Sequence, residues 1–453
     1  MYNNDKLRDV IYDRFDALEL TSGGFCGGAN VMSTQVSIFG KALFDVFGIT
    51  FHNLFVWVSE KDADSLHILK LTGERVIFRD VKGMSCGKGF DIIRDDVRDV
   101  DLVDIIWAGI ICSGVSPSSI HFADKDSCID DRTGGTGETF WYLHGLCQNR
   151  GIRSRLKMVL AENGRHFDSP KRNQSCLISA NRAMSELGLE SLSKVFDCRN
   201  YRSAQSRERT HIAWSDANVE RDREMYEFVL ETLAEGPLPL RDFVDPLALA
   251  QCDWWLSRPL NKLRRPDGAA LLGMAEIHNL CKLHKVAPPP PHEDPFNPAQ
   301  FGLEVDTVLL CIDTESLKSR EIGIMYAKLV AERVLKRVSS TVYAVMAVDR
   351  SVSRWSDMFD MIGTIDPGGK FYLIVQEPAG ERCVRPLTIK ELARLQGFDI
   401  SEVFTPAQLA QLIQVLPHRT MCKVLGQMYH VGAELAHFVA ALCSVPRLHP
   451  RED

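Results

Sequence analysis

The chain has 453 residues and a formal net charge of −7, with 45% hydrophobic and 25% charged residues. This length suits one large α/β domain with a second, smaller one, and the composition is that of an ordinary globular protein. The most apolar late stretch, 431–445, is interrupted by Glu434 and His437, and no run reaches the ~18 apolar residues of a membrane-spanning helix. The acidic balance argues mildly against a nucleic-acid partner, although local basic patches decide such binding.

Thirteen cysteines are scattered along the chain, and no two form a C-x-x-C pair. An odd, dispersed set is typical of reduced intracellular thiols, rather than of a disulfide framework or a structural zinc site. Residues 1–6 contain no apolar run of a secretory signal. We therefore predict an intracellular protein without a metal site or membrane contact, nuclear in a eukaryote and otherwise cytoplasmic.

Short β-rich runs alternate with helical stretches over the first ~215 residues. The predicted strands are 15–20, 53–58, 75–78, 104–110 and 157–160. Continuous apolar strands separated by helices favour a parallel sheet that is covered on both faces. We therefore predict a doubly wound, mostly parallel α/β sheet.

Polar or glycine residues follow each predicted strand. The first strand runs into the glycine-rich segment 22–28, Glu60 follows the second and Asp80 the third. Ligands of open α/β sheets bind beyond the carboxyl ends of the strands. A glycine turn lets backbone approach a nucleotide, Glu60 is placed to accept from ribose hydroxyls, and Asp80 from an adenine amino group. Taken alone, each feature is as often structural or a surface feature.

Two reactive side chains follow the fourth and fifth strands. Cys112 enters the polar turn Ser113-Gly114, which exposes a thiol and eases its ionisation. Glu162 closes an apolar strand, where a carboxylate can have a shifted pKa and act in acid–base chemistry. Taken alone, Cys112 is more often a core cysteine, and Glu162 is catalytic in a minority of cases.

The remainder of the chain divides in two. Residues 215–366 are less regular and contain four consecutive prolines, 288–291. Orderly patterns return with a predicted strand at Lys370–Gln376 and helices at Ile389–Leu395 and 424–442. We predict a first segment at 1–214, a smaller second domain at 215–366, and a C-terminal segment at 367–453 that completes the first. Four basic residues follow Trp254 and Trp255: Arg258, Lys262, Arg264 and Arg265. They are candidates for nucleic-acid contact, and a solvent-exposed surface helix is an equally good interpretation.

Five segments together resemble cytosine-5 DNA methyltransferases, in that family's order. Residues 103–116, with Cys112, resemble the motif in which an apolar strand leads into Pro-Cys-Gln. The other four resemble its Glu-Asn-Val motif, its Gln-x-Arg-x-Arg strand, its Leu-Thr-x-x-Glu signature and its Gly-Asn segment near the cofactor; they are 158–163, 200–213, 385–398 and 424–428. Each match is moderately specific, whereas the ordered set indicates a divergent member of the family.

The resemblance implies methyl transfer from S-adenosylmethionine to C5 of a flipped-out cytosine in DNA. Cys112 would be the nucleophile: its thiolate adds to C6, the carbanion at C5 takes the methyl group, the C5 proton is removed and the thiol is eliminated. Glu162 would hold N3 and the exocyclic amine of the base. Arg207 and Arg209 would orient the base through its carbonyl and position neighbouring groups.

The resemblance also implies a cofactor site, a fold and a partner. The predicted cofactor-binding residues are Gly23, Phe25, Gly27, Gly28, Glu60, Asp80 and Gln427. The fold would be a Rossmann-like sheet, with a target-recognition domain at 215–366 that closes over DNA. We expect a monomer.

The sequence departs from the family pattern beside the nucleophile and in the cofactor turn. Ile111 and Ser113 replace the usual proline and glutamine, Thr21 replaces an aromatic residue after the first strand, and Gln427 replaces an asparagine. These changes keep two alternatives open: a catalytically weak or inactive DNA-binding relative, and an RNA cytosine-5 methyltransferase. The middle region lacks the Cys-Phe-Thr signature that enzymes resembling the tRNA-directed members would carry.

Overall fold

The computed structural model describes most of the chain outside the middle region. The described residues are 4–25, 28–111, 129–130, 132, 134–168, 175–244, 342–348, 361–365, 370–376, 382–416 and 418–446. Cys112, Gly27 and the basic cluster beside Trp254 lie outside the described residues.

Nine strands form the main sheet, in the order β5-β4-β3-β2-β1-β6-β7-β9-β8. They are β1 (Leu18–Phe25), β2 (Phe51–Ser59), β3 (Ile77–Phe78), β4 (Lys88–Asp91), β5 (Asp96–Asp99), β6 (Ile105–Gly109), β7 (Met158–Gly164), β8 (Leu189–Asp197) and β9 (Glu208–Asp216). The five central strands are parallel; they are β3, β2, β1, β6 and β7 in their order across the sheet. Antiparallel pairs complete both edges, with β9 antiparallel to β7 and β8.

Helices surround this sheet. They are α1 (Asn4–Phe15), α2 (Ala29–Phe47), α3 (Ala63–Leu71), α4 (Val81–Met84), α5 (Gly134–Gln148), α6 (Arg150–Arg155), α7 (Cys176–Glu186), α8 (Arg223–Thr232), α9 (Ile389–Leu395), α10 (Ile400–Val403), α11 (Pro406–Val415), α12 (His418–Gln427) and α13 (Val431–Cys443). Short 3₁₀ turns occupy Arg165–Asp168, Cys198–Asn200 and Leu240–Asp242. None of the described helices has the length and apolar character needed to cross a membrane. A separate antiparallel sheet contains β10 (Val342–Val348), β11 (Lys370–Gln376) and β12 (Arg382–Pro386).

The sheet is buried on both faces, because successive side chains of a strand point to opposite sides. On β6, Ile105 and Trp107 enter one apolar cluster, whereas Ile106 and Ala108 enter another. Helices α1–α3 and α8–α13 contribute to the first cluster, and α4–α7 to the second. We call these sides the first and second faces. Both covered faces and the parallel centre confirm the predicted doubly wound, Rossmann-like α/β fold.

Three predicted elements differ most from the structure, while the strands predicted at 53–58, 75–78 and 104–110 differ by two residues or fewer at each end. Strand β1 begins at Leu18 and continues to Phe25, because Ser22–Phe25, predicted to form a turn, pair with both β2 and β6. Strand β7 continues to Gly164, because it pairs with β9 along its whole length. The single helix predicted at 424–442 is wrong: α12 and α13 are separate, and His430 caps α13 by accepting from Ala433 N at 3.2 Å.

Parts of the predicted second and third segments belong to the main core. Helix α8 lies after the predicted boundary at 214, yet Tyr226 and Val229 are buried in the first cluster, and the described chain stays in that cluster up to Val244. Helices α9–α13 join the same cluster. A target-recognition role for 215–366 stays a prediction, since 245–341 lies outside the described residues.

Candidate active site

A carboxylate and two arginines meet on the first face, where β7 and β9 lie side by side. Glu162 Oε1 is 2.7 Å from Arg209 Nε and 3.8 Å from Arg207 Nη2. Alternation along β9 places Arg207, Arg209 and His211 on one side, and cross-strand pairing sets His211 opposite Glu162. The Glu162 side chain is only 11% exposed, so solvent screens these ion pairs weakly. The structure therefore brings together three of the predicted catalytic residues.

Arg207 and Arg209 have different surroundings. The Arg207 side chain is 3% exposed and donates to two backbone carbonyls, Gly426 O at 3.2 Å and Met428 O at 2.8 Å. Arg209 is more exposed and forms the shorter contact with Glu162. Arg207 therefore holds the end of α12 against the start of β9, whereas Arg209 is the more exposed of the two guanidinium groups.

The backbone that leads into Cys112 is fixed beside Glu162. Ile110 N donates to Glu162 O at 3.3 Å, and Asn163 Nδ2 donates to Ile110 O at 3.1 Å. The Thr136 hydroxyl donates to Ile111 O. Cys112 itself lies outside the described residues, so its role as nucleophile stays a prediction.

A cleft opens at the carboxyl end of β2. Its lining includes Gly28, Val31, Ser59, Glu60, Ser65, Ile68, Leu69, Phe398, Ile400, Phe404, Met421, Val424, Leu425, Gln427 and Met428. Three predicted cofactor residues, Gly28, Glu60 and Gln427, thus meet at one site although they are far apart in sequence. Gly28 precedes α2 with φ +90°, a conformation that favours glycine.

Glu60 is held in place by backbone groups. Its Oε1 accepts from Lys61 N at 2.7 Å and from Asp62 N at 2.9 Å, and its own amide donates to Phe78 O at 3.1 Å. Burial raises the pKa of this carboxyl, while the two amide donors partly oppose the rise. The carboxylate is therefore oriented in the cleft before any ligand arrives.

An ion-pair group links two walls of the cleft. Lys423 Nζ on α12 lies 2.6 Å from Asp62 Oδ2 and 3.2 Å from Asp64 Oδ2, at the start of α3. These contacts lower the pKa of Asp62 against the opposing effect of its partial burial. Since all three side chains are partly exposed, the group contributes about 1 kcal/mol or less.

Three other predicted cofactor residues do not line the cleft. Gly23 lies within β1 against Trp57, whose ring would be 2.1 Å from an added Cβ. Phe25 is fully buried in the second cluster, and Asp80 caps α4 by accepting from Gly83 N at 3.1 Å. The extension of β1 through Phe25 explains the first two positions. Gly27 lies outside the described residues.

Sequence reasoning missed the aromatic and thioether wall of the cleft. Phe398, Phe404 and Met428 line it and were assigned no role. Phe398 ends the motif 385–398, so its place in that motif was the available signal. Gln396, in the same motif, is fully buried and donates from Nε2 to Leu425 O at 2.5 Å, which fixes α9 against the cleft wall on α12.

Comparisons with known proteins found likeness in structure alone. No protein-family model and no curated protein matches the chain. The Dnmt2 methyltransferase of S. pombe covers 94% of this chain and 98% of its own, at 10% identity and a TM-score of 0.44. The Entamoeba histolytica methyltransferase EhMeth covers 93% and 98%, at 10% identity and 0.42. A putative DNA modification methyltransferase encoded within a prophage (E. coli) covers 94% and 98%, at 13% identity and 0.43. The case for function therefore rests on the site itself.

Proposed function

We propose that this chain is an S-adenosylmethionine-dependent cytosine-5 DNA methyltransferase. The observation that carries the proposal is the buried contact between Glu162 and Arg209, beside the backbone that leads directly to Cys112. A carboxylate, a guanidinium and an adjacent thiol are the groups that base activation requires in the family that the sequence resembles. Two alternatives remain as outcomes of the test: an inactive DNA-binding relative and an RNA cytosine-5 methyltransferase.

The composition of the cleft supports the cofactor. An adenosine needs apolar walls for its base, which Phe398 and Ile68 supply, and an acceptor for its ribose hydroxyls, which Glu60 supplies. The first turn of α2 follows Gly28, and the positive end of a helix dipole favours the carboxylate of the methionine part. S-adenosylmethionine, when bound, supplies an electrophilic methyl group.

Side chains of the protein supply the nucleophile and hold the base. The Cys112 thiolate adds to C6 of the base, and Glu162 hydrogen bonds to N3 and the exocyclic amine as charge develops. Arg209 holds Glu162 and orients the base carbonyl. Arg207, directly before β9, donates to the carbonyls of Gly426 and Met428. It thereby fixes the distance between the base-binding site at Glu162 and Arg209 and the cofactor-binding cleft.

Transfer of a labelled methyl group to DNA and to tRNA tests the proposal. We expect methylated cytosine in DNA, a loss of about 10³-fold or more in Cys112→Ser, and full activity in Cys86→Ser, which removes an exposed thiol outside the site. Transfer to tRNA alone would establish the RNA alternative.

Two further results would contradict the mechanism. Absence of transfer to either substrate, with S-adenosylmethionine still bound, would establish the inactive relative. A covalent adduct with 5-fluorocytosine DNA that persists in Cys112→Ser would show that another residue is the nucleophile.

A further inference from the structure

A cluster of side chains that can bind a metal lies in the core next to Glu162, which pairs with His211 across β7 and β9. His211 on β9 and Glu434 and His437 on α13 offer one ligand atom each, and these atoms all lie within 4.8 Å of one another. His211 Nδ1 is 2.8 Å from Glu434 Oε2, and His437 Nδ1 is 3.8 Å from Glu434 Oε1. All three side chains are 3% exposed or less. We call these three residues the His–Glu cluster.

The cluster contains more polar atoms than its protein neighbours satisfy. Among the described residues, Nε2 of His211 and Nε2 of His437 are buried without a hydrogen-bond partner, and Nδ1 of His437 is 3.8 Å from Glu434 Oε1. Buried polar groups are almost always paired, because an unpaired one costs about 1–3 kcal/mol. The two unpaired nitrogens beside one buried carboxylate are the observation from which a further ligand is inferred.

The geometry suits a single divalent cation. Two ligand atoms that are each about 2.1 Å from Zn²⁺ are roughly 3.4 Å apart in a tetrahedral site. The contacts of Glu434 with His211 and with His437, at 2.8 and 3.8 Å, lie on either side of that value. Ligand atoms of the cluster are separated by up to 4.8 Å, so the widest pair must close by up to about 1.4 Å when the ion binds. Two imidazoles and one carboxylate are ligands that Zn²⁺ and similar metals accept.

Neighbouring rings hold the ligands in place. His211 stacks on Phe196, with ring centroids 3.9 Å apart and an interplanar angle of 4°. His437 packs edge-on against His211 at 5.3 Å and against Tyr226 at 6.0 Å. Glu434 and His437 lie three residues apart on α13, so they share one face of that helix. These contacts hold three ligands in place, and a water molecule bound to the ion would complete four-coordination.

We propose that His211, Glu434 and His437 bind one Zn²⁺-class divalent cation as a buried structural site. The ion fastens α13 to β9, the strand that carries Arg209 and directly follows Arg207. The sequence predicted no metal site, because the search relied on closely spaced cysteines, whereas 223 residues separate His211 from Glu434. The proposal does not depend on the proposed methyl transfer.

Metal analysis of the purified full chain tests the proposal directly. The protein is incubated with excess Zn²⁺, desalted, and its metal content is measured. We expect about one equivalent per chain, and X-ray absorption should show nitrogen and oxygen donors at about 2.0–2.2 Å. Sulfur donors at about 2.3 Å would overturn the proposal, because they would assign the ion to cysteines.

Thermal unfolding supplies a second readout that needs no variant. Treatment with a strong chelator should lower the melting temperature by about 5 °C or more, and Zn²⁺ should restore it, because an ion bound only to the folded state stabilises that state. A folded protein that retains less than about 0.1 equivalent, with a melting temperature insensitive to Zn²⁺ and chelator, would overturn the site in favour of buried water.

Variants then locate the ion. Glu434→Gln and His437→Gln should each reduce bound Zn²⁺ at least about tenfold, because each removes one of three ligands. His144→Gln is the matched control, since His144 is also a buried histidine but lies on the second face, bonded to Ala183 O. Retention of a full equivalent by both cluster variants would overturn the proposal. If a cluster variant does not fold, X-ray absorption on the unaltered chain still decides.

Discussion

The Glu162–Arg209 contact and the cleft beside Glu60 are stabilised in different ways. Glu162 and Arg209 project from neighbouring strands, and their charges meet because the register of β7 and β9 is fixed by backbone hydrogen bonds. The cleft has mainly apolar walls, which come from α2, α3, α10, α12 and the residues beside these helices. Charged contacts require accurate placement, which a sheet provides, whereas an apolar wall tolerates exchange of its members. The two regions should therefore respond differently to substitution.

Among the described residues, the largest effect is expected at Glu162. Replacing it by glutamine keeps the shape and removes the charge that favours protonation of the base, so kcat should fall about 10²–10³-fold. The affinity for S-adenosylmethionine should remain within about twofold, since the cofactor site would be untouched. Steady-state kinetics and calorimetry measure the two quantities. Glu208→Gln, which changes an exposed carboxylate on the neighbouring strand β9, is the control. Full activity in Glu162→Gln would remove Glu162 from the mechanism.

A substitution at Arg207 should affect both regions. Arg207→Met leaves the carbonyls of Gly426 and Met428 without their buried donors, and should lower the free energy of unfolding by about 2 kcal/mol. Cofactor affinity should fall as well, because Met428 lines the cleft. Urea unfolding and calorimetry test this, with the exposed Arg202→Met as control. A fall in kcat alone, with stability and affinity unchanged, would place Arg207 at the substrate instead.

The smallest of the three effects concerns the cleft and its pH dependence. Glu60→Gln should weaken S-adenosylmethionine binding about tenfold at neutral pH, because a charged acceptor is lost. Burial raises the pKa of Glu60, so its carboxyl takes up a proton at a higher pH than an exposed glutamate does. As the pH falls from neutral, the Kd of the wild-type protein for S-adenosylmethionine should therefore rise, whereas the Kd of Glu60→Gln should not change with pH. Calorimetry across this pH range measures both. Asp80→Asn should leave Kd unchanged; a comparable loss there would return Asp80 to the cofactor site.

Features that depend on local sequence pattern could be predicted, whereas features that depend on pairing with other strands could not. The runs that became β6 and β7 are continuous and apolar, and periodicity alone indicates them. Glu162 and Arg209 could be predicted because the segments 158–163 and 200–213 resemble short family motifs. Strand β1 was cut short because Ser22, Gly23 and Gly24 read as a turn; only their pairing with both neighbouring strands makes them a strand.

Contacts between distant parts of the chain were less predictable. Phe398 enters the cleft through packing of its helix-flanking segment, and periodicity carries no signal for such placement. The break between α12 and α13 depends on the His430 cap, a residue type outside the usual capping set. The meeting of His211 with Glu434 depends on the complete tertiary fold, so local pattern could not indicate it.

The position of α13 on the first face has a consequence for synthesis. Phe438 packs against Phe15, Phe51 and Trp107, so part of the core of the first half is completed by the end of the chain. Between Val244 and α13 about 200 residues must be translated, which takes roughly 10–40 s at ~5–20 residues per second. During that interval the nascent sheet exposes an apolar surface. The core on the first face can therefore close only after α13 has been translated.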